Sequence, residues 1–406
     1  MPVRLQPAKN LLPVPGIRLA STSAGIYARS RPDLALIEFG QDAAVSAVFT
    51  RNSFAAAPVI VAKRHLVNNS HRYCLINAGN ANAATGESGI QAALTSCSKL
   101  AELAGCSVEM VLPFSTGVIG QDLPVEKITN SIPTLLAGLS ENNWNQCAET
   151  IITTDTVTKG VSRQLELDGC TVTVTGIAKG SGMIRPDMAT MLAYIATDAA
   201  VDKKILQRIL DNAVNRSFNR ICVDGDMSTN DACLLIATGK AKHNLITDSK
   251  DANLEKLQTV INEVCEFLAT AIVRDGEGAT KFITINIKNG QSVQECLDVA
   301  YAIATSPLVK TAFFASDPNW GRILAAIGRG GISELDTSQV SVYLNNCRIV
   351  HNGARDKDYT EEAGQQVMKA EEIAMKVDLS RGEADATVWT CDFSYEYVKI
   401  NADYRS

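Results

Sequence analysis

The chain has 406 residues, 46% of them hydrophobic and 20% charged, with a net charge of -6; this is a soluble globular composition with room for two or three domains and a large core. An acidic balance, an isoelectric point near 5.4 and no basic block or arginine-rich arm argue against nucleic acid as the main partner. The N-terminus carries Arg4, Lys9 and four prolines by Pro15 instead of an apolar leader, and no segment offers 18 uninterrupted apolar residues, so a cytoplasmic, membrane-free protein is expected.

The first half is rich in short β runs and turns. One amphipathic helix stands out there, with Ile90, Leu94, Cys97, Ala101 and Ala104 at helical spacing and Gly105 as the stop. Thr171 to Thr175 alternate polar and apolar as a half-buried strand, and Met191 to Ala196 read as a fully buried one. Between them lies a crossing punctuated by Gly180, Gly182 and Pro186 that ends at Ala189-Thr190. Helices are predicted over 203 to 214, with Asp202 as N-cap, and over 253 to 273. Ile283, Ile285 and Ile287 predict a strand, 291 to 305 a helix, and Val340, Val342 and Leu344 another strand. The chain is expected to close with a helix and a strand marked by Trp389, Cys391, Phe393, Tyr395 and Tyr397 at period two. Without a strict strand-helix repeat this order points to α+β layers.

The eleven cysteines run from Cys74 to Cys391 without a C-x-x-C, and the four histidines, His65, His71, His243 and His351, have no metal-ligand spacing. Most cysteines are expected to pack as buried free thiols, and neither a zinc site nor a histidine triad is expected. Gly180-Ser181-Gly182 and Arg329-Gly330-Gly331 match no complete nucleotide-binding fingerprint. Asp224, Asp226 and Asp231 lack a calcium loop and are read as hydrogen-bonded turns.

Thr190 is the residue with the most chemistry in view. If the chain is cut before it, Thr190 carries a hydroxyl and a free α-amine, a nucleophile with its own base, whose reference pKa of roughly 8 suits neutral pH. Local pattern alone also fits a plain strand connection. The run Lys179-Gly180-Ser181-Gly182-Met183-Ile184, then Pro186 and Met188-Ala189-Thr190-Met191-Leu192, resembles the self-cleavage motif of the ornithine acetyltransferases, or glutamate N-acetyltransferases. Further blocks resemble the same family in order: Asn77 to Ala83, Ser115 to Gly120, Thr153 to Thr156, Asp224-Gly225-Asp226 with Ser228 to Asp231, and Asp317 to Arg322.

The resemblance implies a layered α/β/β/α sandwich of the self-processing ornithine acetyltransferase and aminopeptidase type, with a smaller C-terminal α/β domain. It implies autocatalytic cleavage at Ala189-Thr190 into an α chain, 1 to 189, and a β chain, 190 to 406, assembled as two of each. Thr190 is then the nucleophile, Thr116 and Gly117 form the oxyanion hole, and Thr153, Lys179, Thr190, Glu277, Asn401 and Ser406 contact substrate. The implied reaction moves acetyl from N2-acetyl-L-ornithine to L-glutamate in arginine biosynthesis, without a cofactor. A bifunctional form would also take acetyl-CoA as a co-substrate. An N-terminal-nucleophile aminopeptidase or amidase, with water as acceptor, is the more distant alternative.

Residue patterns leave open the role of Glu277 and the choice between Thr153 and Thr154. The chain departs from the family pattern at Asp187, where asparagine is usual, and at Met227, where threonine is usual. The charge of Asp187 is expected to influence the cleavage rate.

Overall fold

The computed structural model describes residues 2–27, 31–67, 70–185, 191–248 and 250–403. Two sheets face each other. The first has the order β1 (Ile17–Thr22), β2 (Leu34–Phe39), β4 (Tyr73–Asn77), β5 (Val111–Ser115). The second has the order β3 (Ala44–Phe49), β10 (Ala232–Ala237), β8 (Leu192–Thr197), β7 (Cys170–Lys179), β6 (Lys159–Leu167). Leu19, Ile37, Ile76 and Phe114 from one sheet meet Ile177, Tyr194, Leu234 and Ile236 from the other in a closed core. There the Phe114 and Tyr194 rings pack edge to face at 5.5 Å.

Helices cover both outer faces. The first sheet is capped by α2 (Gly86–Ala104) and α3 (Val125–Ala137), which bury Cys97, Leu100, Ile128 and Ile132 against Leu36, Leu75 and Val111, while α1 (Ala57–His65) packs beside β5. α4 (Trp144–Ile151) adds Trp144, Cys147 and Ile151 to the core between the sheets. The second sheet is capped by α5 (Lys203–Arg216) and α6 (Ala252–Arg274). This is the expected α/β/β/α sandwich. It explains why β8 is buried at every residue, since both faces meet apolar layers.

The C-terminal part has its own core on a seven-stranded mixed sheet of order β14 (Ala354–Arg355), β13 (Cys347–His351), β12 (Ser341–Leu344), β15 (Glu372–Asp378), β11 (Phe282–Gly290), β16 (Ala384–Cys391), β9 (Ile221–Cys222). Helices α7 (Val293–Ala304), α8 (Pro307–Phe314), α9 (Trp320–Gly328) and α10 (Glu361–Met368) belong to this part, and α11 (Tyr395–Ala402) follows β16. Because β9 precedes α6 in sequence yet pairs in parallel with β16, the two parts are laced together.

Most predicted elements form where expected. The Asp202 carboxylate caps α5 by accepting from the Lys204 N–H at 2.8 Å, and Gly105 ends α2 at φ +64°. Two expectations need correction. The closing strand stops at Cys391, because the Asp392 carboxylate accepts from the Thr280 and Lys281 N–H groups, both at 2.8 Å, and turns the chain aside. Phe393 and Tyr397 instead stack at 4.7 Å across the start of α11, and Tyr395 is exposed. The first half also holds α1, α3 and α4 besides the helix expected there. In α3 the apolar stripe Ile128, Ile132, Leu135 is interrupted by Pro133, which reads as a breaker.

All eleven cysteines are free thiols; Cys106, Cys170 and Cys347 are partly exposed and the other eight are buried. Burial pushes the Cys265 thiol up to about 12. Among the described residues, no helix is long and apolar enough to cross a membrane, and no cluster of three His, Cys, Asp or Glu side chains could hold a metal ion.

Candidate active site

A cleft opens where the sandwich meets the C-terminal part. Of the residues expected to act on substrate, Thr116, Gly117, Thr153, Lys179, Glu277 and Asn401 all line it. Ala189, Thr190 and Ser406 lie outside the described residues, as does Asp187.

The donor corner is built by asparagines. β5 ends at Ser115, and the chain is held there because the Asn77 amide donates to Asn80 O at 2.7 Å and Ser115 Oγ at 2.9 Å. The Asn230 amide donates to Ala81 O at 2.7 Å and to Ser115 O at 2.9 Å, which joins the second sheet to the same corner. The Thr116 N–H is consumed by Asn77 O at 2.9 Å; among the described residues the Gly117 N–H has no acceptor, and the Thr116 hydroxyl oxygen accepts from Lys179 Nζ while its proton can still be donated. Gly117 sits at φ +132°, and a Cβ there would lie 2.5 Å from the Gly79 carbonyl carbon. Only glycine satisfies both demands.

Lys179 is the last residue of β7 and is 4% exposed, with Nζ 3.4 Å from Thr116 Oγ1. Among the described residues it meets no carboxylate in a direct ion pair. Burial pulls its pKa below the usual lysine value, although Asp155, Asp231 and Glu277 act against that.

Behind it lies a buried ion cluster. Lys159 Nζ donates to Asp155 Oδ1 and to Asp275 Oδ2, both at 2.6 Å, with all three side chains essentially inaccessible. Asp155 also accepts from the Gly180 N–H at 2.7 Å and the Thr153 N–H at 3.0 Å, while Asp275 accepts from the Thr156 N–H at 2.9 Å. Burial alone would raise the Asp155 carboxyl, but Lys159, Lys179 and the Gly180 N–H hold it well below the usual range. One cluster thus fixes the loop that carries Thr153, the glycine after Lys179 and the turn before Glu277.

Glu277 is 7% exposed and approaches the crossing at Gly182, where a Cβ would lie 2.4 Å from its carboxyl carbon. Its N–H donates to Ser181 O at 2.8 Å, and its Oε2 accepts from the Asn401 amide at 2.8 Å. α11 docks beside it: Ser394 Oγ donates to Gly278 O at 2.6 Å, and a Cβ on Gly278 would lie 2.5 Å from Tyr397 N. Thr154 Oγ1 lies 2.6 Å from Ser181 Oγ, so these hydroxyls occupy each other, which favours Thr153 for substrate.

The sequence reading missed Ser228 and Asn230, which also line the cleft, although it singled out their block. The aspartates of that region serve turns, as expected: Asp224 accepts from the Met183 and Ile184 N–H groups at 2.6 and 2.9 Å. Asp231, fully buried, accepts from the Met191 N–H at 3.0 Å. Met191 immediately follows Thr190, and Leu192 pairs with Lys179 across the β7–β8 ladder.

On a layered sandwich, a hydroxyl and an N–H donor beside a buried lysine and a carboxylate suit an enzyme that transfers acyl groups. The profile of the ArgJ family matches residues 18–406, and the chain belongs to that family, the acyltransferases of arginine biosynthesis. It is 54% identical to the arginine biosynthesis bifunctional protein ArgJ of Pseudomonas fluorescens, with all of both chains covered. Identity to the protein of the same name from Methylococcus capsulatus is 52%, over 98% of this chain and 97% of that one. Among solved structures, the bifunctional protein ArgJ of Bacillus halodurans is similar to it at 36% identity and a TM-score of 0.49, over 52% of this chain and 97% of that chain.

Proposed function

We propose that the chain cleaves itself at Ala189-Thr190 and then transfers acetyl from N2-acetyl-L-ornithine to L-glutamate through an acetyl ester on Thr190. In the first act the Thr190 hydroxyl adds to the Ala189 carbonyl carbon and the C–N bond breaks, giving an ester and a free α-amine. Water then hydrolyses the ester and leaves the Ala189 carboxylate. In the second act that α-amine takes the hydroxyl proton as Thr190 Oγ attacks the acetyl carbonyl, and the proton leaves on ornithine. The glutamate amine reverses these steps. Thr116 and Gly117 donate to the oxyanion of both tetrahedral intermediates, a contribution of about 3 to 4 kcal/mol per donor. Lys179 offers a cation to the α-carboxylate shared by both amino acids. Glu277, held by Asn401, is suited to an amine.

The observation that carries this reading is the convergence of Thr116, Gly117, Thr153, Lys179, Glu277 and Asn401, from distant stretches of chain, on one cleft. The same site can serve a second donor, acetyl-CoA, and the curated relatives are named bifunctional. The test is to incubate the purified enzyme with N2-acetyl-L-ornithine and map the acetyl group. It is expected on the fragment that starts at Thr190 and is expected to be discharged faster by glutamate than by water. Discharge by water at the same rate would instead indicate an amidase. Incubation with acetyl-CoA and glutamate alone reads out the second donor.

A further inference from the structure

A second cavity, of about 620 Å³, lies between the end of α5 and the outward face of α7. Gln294, Leu297, Asp298, Tyr301 and Thr305 recur along that face at helical spacing, while Cys296, Val299, Ala300 and Ile303 on the opposite face enter the core. Arginines enter the groove from three separate places: Arg185, Arg220 and Arg329. Among the described residues, one lining carboxylate, Asp298, stands against them, in a protein whose net charge is -6.

Each arginine is placed by the fold. Asp224 fixes the Met183 and Ile184 N–H groups and Ile184 is fully buried, so Met183 reaches the catalytic cleft while Arg185 lines the groove. Arg220 Nε donates to Asn215 O at 2.9 Å, and Arg329 Nη2 donates to Ala302 O at 2.6 Å. The Arg329 loop lies tight on α7 because Gly330 has no side chain; a Cβ there would be 2.9 Å from the Val299 side chain. Among the described residues, none of the three guanidiniums forms an ion pair with a carboxylate. Burial and the nearby Arg216 lower Arg220 from its ordinary value.

We propose that this groove binds a phosphate-bearing anion, with the guanidinium forks of Arg185, Arg220 and Arg329 gripping a pyrophosphate or clustered phosphate group. Three planar forks match phosphate oxygens in pairs and supply more positive charge than a single carboxylate would neutralise. The volume suits a ligand of nucleotide size. The site is separate from the acyl-transfer cleft, and its test does not depend on that chemistry.

Inorganic pyrophosphate is titrated calorimetrically into the full-length enzyme, with citrate as a polycarboxylate control. Saturable pyrophosphate binding is expected, weakened at least about tenfold by Arg220→Gln with Arg329→Gln. Asp298→Asn is expected to tighten it, a gain that a misfolded variant would not give. Acetyl transfer from N2-acetyl-L-ornithine without added anion is expected to be unchanged in these variants. Coenzyme A and ADP as further probes identify the source: tighter binding of coenzyme A assigns the groove to a pantetheine-bearing nucleotide, and equal binding assigns it to free nucleotides. Absence of saturable pyrophosphate binding, equal binding of citrate, or an unaltered affinity in the double arginine variant would overturn the proposal.

Discussion

Gly117 and Lys159 show how much of the site depends on single residues whose side chains never touch the substrate. Gly117→Ala places a Cβ against the Gly79 carbonyl at a left-handed φ, so the chain must move the N–H proposed to serve the oxyanion. Transfer is expected to fall by about 10²- to 10³-fold, read from kcat with both substrates saturating, while the thermal midpoint changes much less. Lys159→Met leaves Asp155 and Asp275 buried and uncompensated, and is expected to cost about 3 to 5 kcal/mol in denaturant unfolding. The pH dependence follows from the sign of the Asp155 shift. Its folded pKa is depressed, so its stabilisation is complete above the unfolded value of roughly 4 and is lost as pH falls through the folded value. The stability gap between the wild type and Asp155→Asn should therefore hold from pH 7 down to about 4 and shrink only below that. A gap that already closes between pH 7 and 5 would show that Asp155 is not held ionised by Lys159. None of this cluster was legible in the sequence, because Lys159 meets Asp275 from 116 positions away.

Helix α11 was legible only by half. The resemblance implied a substrate contact for Asn401, whose amide donates to Glu277 at the cleft; the aromatic alternation predicted a strand, and a helix stands there. Period two misled because Phe393 and Tyr397 are four apart as well as two steps apart, and the Asp392 turn that decides between these periods is tertiary. By contrast α2, α5 and α6 carry long uninterrupted apolar stripes and were readable directly, whereas α3 was hidden by Pro133. Since α11 holds Glu277 through Asn401, deleting residues 401–406 should lower transfer by at least about tenfold, the loss of one hydrogen bond to a charged group. Self-cleavage should continue in that variant. Unchanged turnover would remove the tail from the site.

Across the whole molecule, the second sheet is shared by the two sides of the expected cut. β3, β6 and β7 precede Ala189, β8 and β10 follow it, and β7 pairs with β8 from Lys179–Leu192 to Val174–Thr197. Separating the pieces would break this ladder and expose the core between the sheets, so cleaved enzyme is expected to remain one particle in native gel filtration and to split only in denaturant. The layered fold was legible because each layer has a distinct apolar pattern; the lacing through β9 was not, since two residues carry no periodicity. The central claim is that Thr190 cuts its own chain and becomes the nucleophile. Intact-mass measurement of freshly purified and incubated protein, beside Thr190→Ala, tests it most directly. Two species corresponding to residues 1–189 and 190–406 are expected for the wild type, and one uncut, inactive chain for the variant. A single 43.5 kDa wild-type chain that persists on incubation, or a Thr190→Ala variant that still transfers acetyl, would contradict it.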